Sequence, residues 1–236
     1  MIPSSCAICG LRAKRVVCEP CRHQFFCGQA NRCACCALPI AYVGEAATAS
    51  RCGACQSDPP AYDATIVAAD YQAPIDQLVL QLKFGGKLAL AQLFGDLLRD
   101  ALLFSHPDAG SNPTLPTCLI PVPLSPQRLQ QRGFNQSLEI ARPLARHLGV
   151  PHLAKSMERV RDTQPQAELP VGERHKNLRH AFIVRAESVS QVKGQHVGVV
   201  DDVMTTGETL QELAITLKRF GAARVTNLVF ARTLPR

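Results

Sequence analysis

The sequence of 236 residues contains no tryptophan, and aromatic residues make up only 5% of it. Proteins that hold single-stranded nucleic acid commonly stack its bases on aromatic side chains, so such stacking platforms are scarce here. The sequence also lacks an apolar run long enough to span a bilayer, and it lacks a signal peptide. We therefore expect no membrane insertion and a cytoplasmic location.

Cysteine, in contrast, is abundant, with eleven residues. Because disulfides are rare in the cytoplasm, this number favours metal binding. Eight cysteines form four CxxC pairs, namely Cys6, Cys9, Cys18, Cys21, Cys33, Cys36, Cys52 and Cys55. Each pair supplies half of a tetrahedral Zn²⁺ shell, so the four pairs predict two structural zinc ions. Pairing in sequence order (first with second, third with fourth) is the default, and an interleaved pairing is the alternative.

The composition changes at Pro59 and Pro60, where the cysteine-rich segment ends. We predict a double zinc ribbon over residues 1–58, which should depend on metal to fold, and an α/β domain over residues 59–236. Charge is also uneven, because residues 128–185 hold eleven Lys and Arg against five Asp and Glu. A basic segment suits a pyrophosphate-bearing ligand or a nucleic-acid backbone, although solvated basic faces are also common.

The most informative stretch is 197–220. Its first apolar residues lack a helical period and predict a buried parallel strand, with Asp201 and Asp202 at its carboxyl end. Residues 205–207 (Thr-Thr-Gly) then predict a tight turn that leads into an amphipathic helix. Such a turn offers backbone N–H groups, hydroxyls and the helix dipole to one phosphate. Because the two carboxylates would repel that phosphate, they should face another part of the ligand, and sugar hydroxyls can donate hydrogen bonds to them. A 5-phosphorylated ribose has both the hydroxyls and the phosphate.

This stretch resembles the motif with which type I phosphoribosyltransferases bind 5-phosphoribosyl 1-pyrophosphate (PRPP). The resemblance implies an α/β fold with a type I phosphoribosyltransferase-like parallel sheet flanked by helices, preceded by the small zinc-ribbon domain. It also implies that Asp201 and Asp202 bind the ribose 2- and 3-hydroxyls. The residues that it implies for the 5-phosphate are Thr205, Thr206, Gly207, Glu208 and Thr209. Glu208 stands where a small residue is common in that family.

Further motifs are similar to the ComF family of phosphoribosyltransferase-like proteins. They are the four cysteine pairs, LKF-x-G beginning at Leu82, IPVPL followed by RGFNQ at 132–136, and the polar segment 163–182. That segment and its basic neighbours resemble a mobile catalytic loop that stabilises departing pyrophosphate. Arg128 and Arg132 are spaced to lie on one side of a helical turn, and guanidinium groups suit phosphate oxygens.

Two smaller sets of residues leave alternatives open. Lys83 and Lys87 flank a Gly-Gly turn and either contact the ligand or interact with helix dipoles. Asn135 and Gln136, at the start of a predicted helix, either cap that helix or contact the ligand. Arg232 is expected just beyond the last strand.

The resemblance implies a glycosyltransferase, a phosphoribosyltransferase with an unknown acceptor, that binds PRPP together with Mg²⁺. Asp201 and Asp202 would fix the ribose, while Arg128 and Arg132 would neutralise pyrophosphate as C1 becomes cation-like. ComF relatives are associated with natural competence and the use of extracellular DNA, which implies single-stranded DNA and the DNA-uptake machinery as partners. The alternative is a non-catalytic module that senses PRPP or binds single-stranded DNA.

Overall fold

The computed structural model describes residues 4–26, 31–40, 51–104, 115–160 and 181–235. The strands are β1 (Ser4–Ser5), β2 (Arg12–Ala13), β3 (Ala64–Asp70), β4 (Cys118–Pro121), β5 (Met157–Arg159), β6 (Phe182–Val184), β7 (His196–Met204) and β8 (Arg224–Arg232). Four of them form one parallel sheet in the order β3, β8, β7, β4. The pairs β1–β2 and β5–β6 are small antiparallel sheets.

The helices are α1 (Glu19–Phe26), α2 (Gly53–Ser57), α3 (Ile75–Gly85), α4 (Ala89–Phe104), α5 (Pro126–Arg132), α6 (Gln136–Leu148), α7 (Val189–Val192) and α8 (Glu208–Arg219). The predicted parallel sheet flanked by helices is confirmed. Within the described ranges, no helix has the length and apolar character needed to cross a membrane.

The two central strands, β7 and β8, are buried along almost their whole length, which is typical of parallel strands covered on both faces. Arg232, the last residue of β8, lies in register with Met204 of β7 and with Asp70 of β3. The carboxyl ends of these three strands therefore lie side by side at the same end of the sheet. Since β7 continues to Met204, Asp201 and Asp202 lie among its last four residues, which agrees with their predicted position at the carboxyl end of the strand.

Helices α3, α4 and α6 cover one face of the sheet. Helices α4 and α6 approach closely at Gly95, where a Cβ would lie 2.9 Å from the Pro143 ring. Phe94 of α4 stacks on Phe230 of β8, with ring centroids 3.5 Å apart. Cys6 and Cys21 belong to this first core.

The opposite face is covered by α8 and by the antiparallel pair β5–β6. Cys33, Cys36 and Cys55 belong to this second core, together with Leu210 and other residues of α8. The cysteine-rich segments therefore contribute to both faces of the sheet. The domain boundary at residue 58 stays a prediction.

Strand β3 forms one edge of the sheet, and no further strand of the described ranges pairs with it. Its outer edge is instead contacted by the cysteine-rich part, because the Thr65 N–H donates to the Ala34 carbonyl over 3.3 Å. Helix α1 also packs against β3. The cysteine-rich part thus covers the edge of the sheet as well as portions of its faces.

Candidate functional site

The turn between β7 and α8 places a helix N-terminus directly after the strand. Gly207 is the N-cap of α8 and has a φ of 91°. A Cβ at this position would lie 2.6 Å from Met204 Cε and 3.3 Å from the Tyr62 hydroxyl, so glycine is required both for conformation and for space. The N–H groups of the first helical turn and the helix dipole favour an anion at this point.

Two cavities meet at this turn. The smaller has a volume of about 40 Å³, and its lining includes Asp201, Thr205, Gly207 and Thr209. The larger has a volume of about 380 Å³ and lies between the turn and the segment that follows Cys55; its lining includes Tyr62, Thr206, Gly207 and Glu208. All five residues predicted to bind the 5-phosphate therefore line one cavity or the other.

Asp201 is held in place by two hydrogen bonds to its Oδ1. One comes from the Ser137 hydroxyl and the other from the Asp202 N–H, each over 2.9 Å. Burial and the neighbouring charge of Asp202 raise the pKa of Asp201 to about 7, although Lys83 and the Ser137 hydroxyl act in the opposite direction. The pair thus resists carrying two full negative charges unless a ligand or a cation compensates them.

Asp202 is 3% exposed and forms an ion pair with Lys83. The Lys83 Nζ lies 2.7 Å from Asp202 Oδ2 but without the geometry of a hydrogen bond, so this buried oxygen has no hydrogen-bond donor among the described residues. The structure therefore brings Lys83 to the carboxylate pair. Lys87 lies elsewhere and donates to Gln81 over 3.0 Å.

The two predicted arginines come from α5, which ends one residue before an αL glycine. The Arg132 guanidinium donates to Gln136 Oε1. Burial lowers the pKa of Arg132, the charges of Asp202 and Asp201 oppose that effect, and Arg128 adds to it. Arg132 therefore lies close to the carboxylate pair and to Arg128, which makes this part of the site cationic.

The RGFNQ motif also positions a residue that sequence reasoning missed. Asn135 caps α6 by accepting from the N–H groups of Ser137 and Leu138, and it donates to the Val122 carbonyl over 3.0 Å. This cap fixes Ser137, whose hydroxyl contacts Asp201. Ser137 directly follows the motif in the sequence, and that position could have identified it as a candidate site residue.

Phe84 stands at the edge of this site with 74% of its surface exposed. It follows Lys83 in α3, and the Arg132 guanidinium carbon lies 5.2 Å from the centre of its ring. A cation at this distance stabilises the orientation of the ring. The chain is poor in aromatic residues, yet it exposes one beside the carboxylates.

Some predicted residues lie elsewhere or outside the described ranges. Most of the basic loop predicted to fold over PRPP, residues 161–180, is outside them, as is Cys27. Arg232 differs from expectation, because it belongs to β8 and is only 5% exposed. Cys35 is a buried free thiol that contacts the Tyr62 carbonyl over 3.7 Å.

The cysteine pairs gather into two groups in sequence order. The first cysteine cluster consists of Cys6, Cys9, Cys18 and Cys21, and the second of Cys33, Cys36, Cys52 and Cys55. Within each, all sulfur atoms lie within 4.8 Å of one another. The Cys9–Cys18 and Cys36–Cys52 sulfur distances are 3.8 and 3.7 Å. Tetrahedral Zn–S bonds of 2.3 Å require about 3.8 Å between sulfurs. Both clusters fit a zinc ion.

Equivalent hydrogen bonds support the first sulfur of each cluster. Cys6 Sγ accepts from the N–H groups of Ile8 and Cys18, and Cys33 Sγ accepts from those of Cys36 and Cys52, all over 3.3–3.5 Å. Burial acts to raise the pKa of Cys6 and of Cys33, but hydrogen bonds from backbone amides, led by those of Cys9 and Cys36, lower them to about 6 and about 7. The amides thus favour the thiolate, which is the form that binds metal.

Comparison with known proteins covers most of the chain. A family model described as the phosphoribosyl transferase domain matches residues 135–234. The chain is 37% identical to the DNA utilization protein YhgH of Salmonella typhimurium over 202 residues, which is 86% of this chain and 84% of that protein. It is also 37% identical to YhgH of Escherichia coli K12 over 183 residues, or 78% of each chain.

Competence protein F of Haemophilus influenzae is 31% identical over 221 residues, which covers 90% of this chain and 89% of that protein. A match of this extent includes most of the cysteine-rich part as well as the α/β part. The similarity therefore extends beyond the α/β part.

Proposed function

This chain belongs to the ComF family of phosphoribosyltransferase-domain proteins, and we propose that it binds PRPP at the end of β7 and transfers its phosphoribosyl group to an acceptor. The process it serves is DNA utilization or competence, the roles that the names of its relatives carry. The observation that supports the site is the pair Asp201 and Asp202 beside the glycine turn of α8. The two carboxylates suit sugar hydroxyls, and the glycine turn suits a phosphate.

The ribose and its 5-phosphate occupy neighbouring parts of the site. Asp201 and Asp202 accept hydrogen bonds from the 2- and 3-hydroxyls. The phosphate is held by backbone N–H groups and hydroxyls of Thr205, Thr206, Gly207, Glu208 and Thr209. These contacts fix the sugar, so that C1 faces the acceptor in one orientation.

The leaving group is stabilised by fixed cations. As the bond from C1 to the pyrophosphate oxygen breaks, negative charge grows on that oxygen, and a nucleophilic atom of the acceptor forms the new bond to C1 and loses its proton. Lys83 forms an ion pair with Asp202, and Arg132 lies near the carboxylate pair with Arg128 beside it. We propose that these three cations neutralise this charge, since electrostatic stabilisation is most effective when the cations are held near the site before the reaction.

The carboxylate pair also fits the Mg²⁺ that phosphoribosyltransferases use. Mg²⁺ prefers oxygen ligands and would supply charge neutralisation at the pyrophosphate. Asp202 Oδ2, which has no hydrogen-bond donor among the described residues, can accept from a ribose hydroxyl or from water on that ion.

For the cysteine clusters we propose one structural Zn²⁺ each, within residues 1–58. A shell of four thiolates leaves no open position for a substrate, so neither ion takes part in the transfer.

The site is tested by calorimetry with PRPP and Mg²⁺. The double variant Asp201→Asn with Asp202→Asn should lose at least roughly 100-fold in affinity, because charge-assisted hydrogen bonds to both hydroxyls are weakened. Asp96→Asn, an acidic residue of α4 paired with His147, is the control and should bind as the wild type does. Unchanged affinity in the double variant would reject the proposed site.

Transfer is tested by pyrophosphate release with a panel of bases, nucleotides and single-stranded DNA. Release with one acceptor class identifies the substrate. Tight PRPP binding without release from any member of the panel would favour the sensing module over the enzyme.

A specific observation favours single-stranded DNA as a partner. Phe84 presents an exposed ring beside the carboxylate pair, with Arg132 against it. Bases of every type stack on such a ring, and a guanidinium beside it adds attraction to the DNA backbone.

This role is tested with fluorescently labelled single-stranded DNA. Phe84→Ala should weaken binding by about 5- to 100-fold, the range for one stacked base. The matched control is Phe104→Ala, which removes another ring that is 82% exposed, at the end of α4. Equal effects of the two substitutions, or none, would contradict stacking at Phe84.

A further inference from the structure

We propose that Arg232 is a positioning residue that joins the second cysteine cluster to the phosphate-binding turn. PRPP affinity then depends on metal in the second cluster and not on metal in the first. This inference rests on the proposed function, since it assumes that the turn binds the 5-phosphate.

The hydrogen bonds of Arg232 span the two elements. Its Nε donates to the Cys36 carbonyl over 3.2 Å, inside the second cluster. Its Nη1 donates to the Met204 carbonyl over 3.1 Å and also to the Thr205 carbonyl, where the phosphate turn begins. Thr233 strengthens the junction, because its N–H donates to the Met204 carbonyl over 3.0 Å. One guanidinium therefore fixes the metal-binding loop and the turn relative to each other.

The charge of Arg232 has an unusual partner. The side chain is 5% exposed, and no carboxylate of the described residues pairs with it. A buried cation without a counter-charge is strongly unfavourable. The hydrogen bond from Nε to the Cys36 carbonyl places the guanidinium beside the second cluster. Four thiolates around one Zn²⁺ carry a formal charge of −2, so the metal-loaded second cluster supplies the missing anion.

Three more contacts connect the residues around the second cluster with the same turn and its helix. The Cys35 thiol contacts the Tyr62 carbonyl, and the Tyr62 hydroxyl lies against Gly207. The Ala61 N–H donates to Gln211 Oε1 of α8 over 2.7 Å. The segment that follows Cys55 is thus tied to the turn and to the first turn of the helix.

The first cluster packs against other elements. It belongs to the core formed with α3 and α4, and Arg22 of α1 forms an ion pair with Asp100 of α4. Within the described ranges, no hydrogen bond or ion pair joins it to residues 204–207. Metal in the first cluster should therefore support the fold without setting the geometry of the turn.

The inference is tested first with Arg232→Met and Arg232→Lys. Calorimetry with ribose 5-phosphate should show that Arg232→Met lowers the affinity roughly tenfold or more. Arg232→Lys should lower it less, because lysine keeps the positive charge but lacks the several N–H donors of the planar guanidinium. Binding of pyrophosphate with Mg²⁺ should stay within about twofold, since that ligand does not need the turn. Equal losses for both ligands would show general damage and overturn the inference.

The second test compares matched cluster variants. Cys18→Ser and Cys52→Ser each remove the third ligand of a cluster, and both cysteines are half-buried. Elemental analysis should find one zinc fewer per chain in each variant. Only Cys52→Ser should weaken PRPP binding, by roughly tenfold. Equal affinities of the two variants would overturn the inference.

The two proposals fail in different ways. If wild-type protein with both zinc ions does not bind PRPP, the proposed function is wrong. If it binds PRPP and Arg232→Met binds ribose 5-phosphate equally well, only the role of Arg232 is wrong. If the Arg232 variants do not fold, the comparison of Cys52→Ser with Cys18→Ser still tests the inference, because it leaves Arg232 in place.

Discussion

Cys6 and Cys33 hold equivalent positions in the two cysteine clusters, and each accepts hydrogen bonds from two backbone amides. Beyond the sulfur atoms, the clusters differ. The first packs with α3 and α4 on one face of the sheet, and the second packs with α8 on the other. Among the described residues, only the second cluster is connected by hydrogen bonds to the turn between β7 and α8, and Arg232 makes that connection. The same cysteine motif can therefore stabilise the fold in the first cluster and help to organise a binding site in the second.

The largest expected difference between the clusters concerns the loss of metal. Cys9 is exposed and Cys18 half-buried, whereas three of the four ligands of the second cluster are buried. A chelator should therefore remove zinc from the first cluster first. Saturating PRPP with Mg²⁺ should slow release from the second cluster by up to about 100-fold, because a ligand stabilises the state that binds it.

The measurement is zinc release, followed with a coloured chelator, with and without PRPP. Cys18→Ser and Cys52→Ser assign the two kinetic phases. Equal protection of both phases by PRPP would mean that the clusters do not differ in their connection to the site.

The next largest effect concerns pH. The pKa of Asp201 is about 7 in the folded protein against an ordinary value of 3.8, so the folded state binds more protons between these values. Unfolding free energy should therefore fall as pH rises from about 4 to 7, by up to about 4 kcal/mol. Asp201→Asn keeps an oxygen that can accept from Ser137 and should lack most of this decrease.

Urea unfolding of both proteins at pH 5 and pH 8 tests this. Leu103→Ala, an exposed change in α4 on the side of the first cluster, should show the same pH dependence as the wild type, since it alters neither a titratable group nor a thiolate. A pH profile that changes in Leu103→Ala as much as in Asp201→Asn would contradict the assignment to Asp201.

A smaller effect is expected for the ion pairs that attach each cluster. Arg22 pairs with Asp100 of α4, and Arg32, beside the second cluster, pairs with Asp70 of β3 over 2.9 Å. Both pairs are partly buried, so Arg22→Ala and Arg32→Ala should each reduce unfolding free energy by about 1–3 kcal/mol. Only Arg32→Ala should also weaken PRPP binding, because Asp70 lies in register with Arg232.

Thermal unfolding and calorimetry on the same samples separate the two effects. A change in PRPP affinity in Arg22→Ala as large as in Arg32→Ala would contradict the division of roles.

The smallest effect is expected at Gln211. Gln211→Ala removes one hydrogen bond to the Ala61 N–H and should reduce unfolding free energy by about 1 kcal/mol, with a few-fold weaker PRPP binding. Gln92→Ala, on the face of the first cluster, removes a hydrogen bond to Asp96 and serves as the control. Calorimetry should show no change in affinity for the control.

Local patterns predicted the elements of this molecule well. The apolar run at 197–200, the Thr-Thr-Gly turn and the helix after it correspond to β7, the glycine turn and α8. These features can be predicted from neighbouring residues, because the apolar run, the glycine turn and the helical spacing after it each lie within a short stretch of sequence. The sequence-order grouping of the cysteines is equally local.

Contacts between distant segments were not predictable in the same way. Lys83 reaches Asp202 from α3, and Ser137 reaches Asp201 from α6. No local period encodes these pairs, since they arise from the way helices pack on the sheet. Arg232 was expected just beyond the last strand. Its observed place at the end of β8, in register with Met204, depends on the sheet order, which no local pattern encodes.

The Thr65–Ala34 hydrogen bond at β3 has a further consequence. An uncovered outer strand presents a row of unpaired amides and carbonyls to which a second molecule can add its own strand. The cysteine-rich part prevents this as long as metal keeps it folded. Zinc-depleted protein should therefore self-associate through β3 and become turbid as its concentration rises.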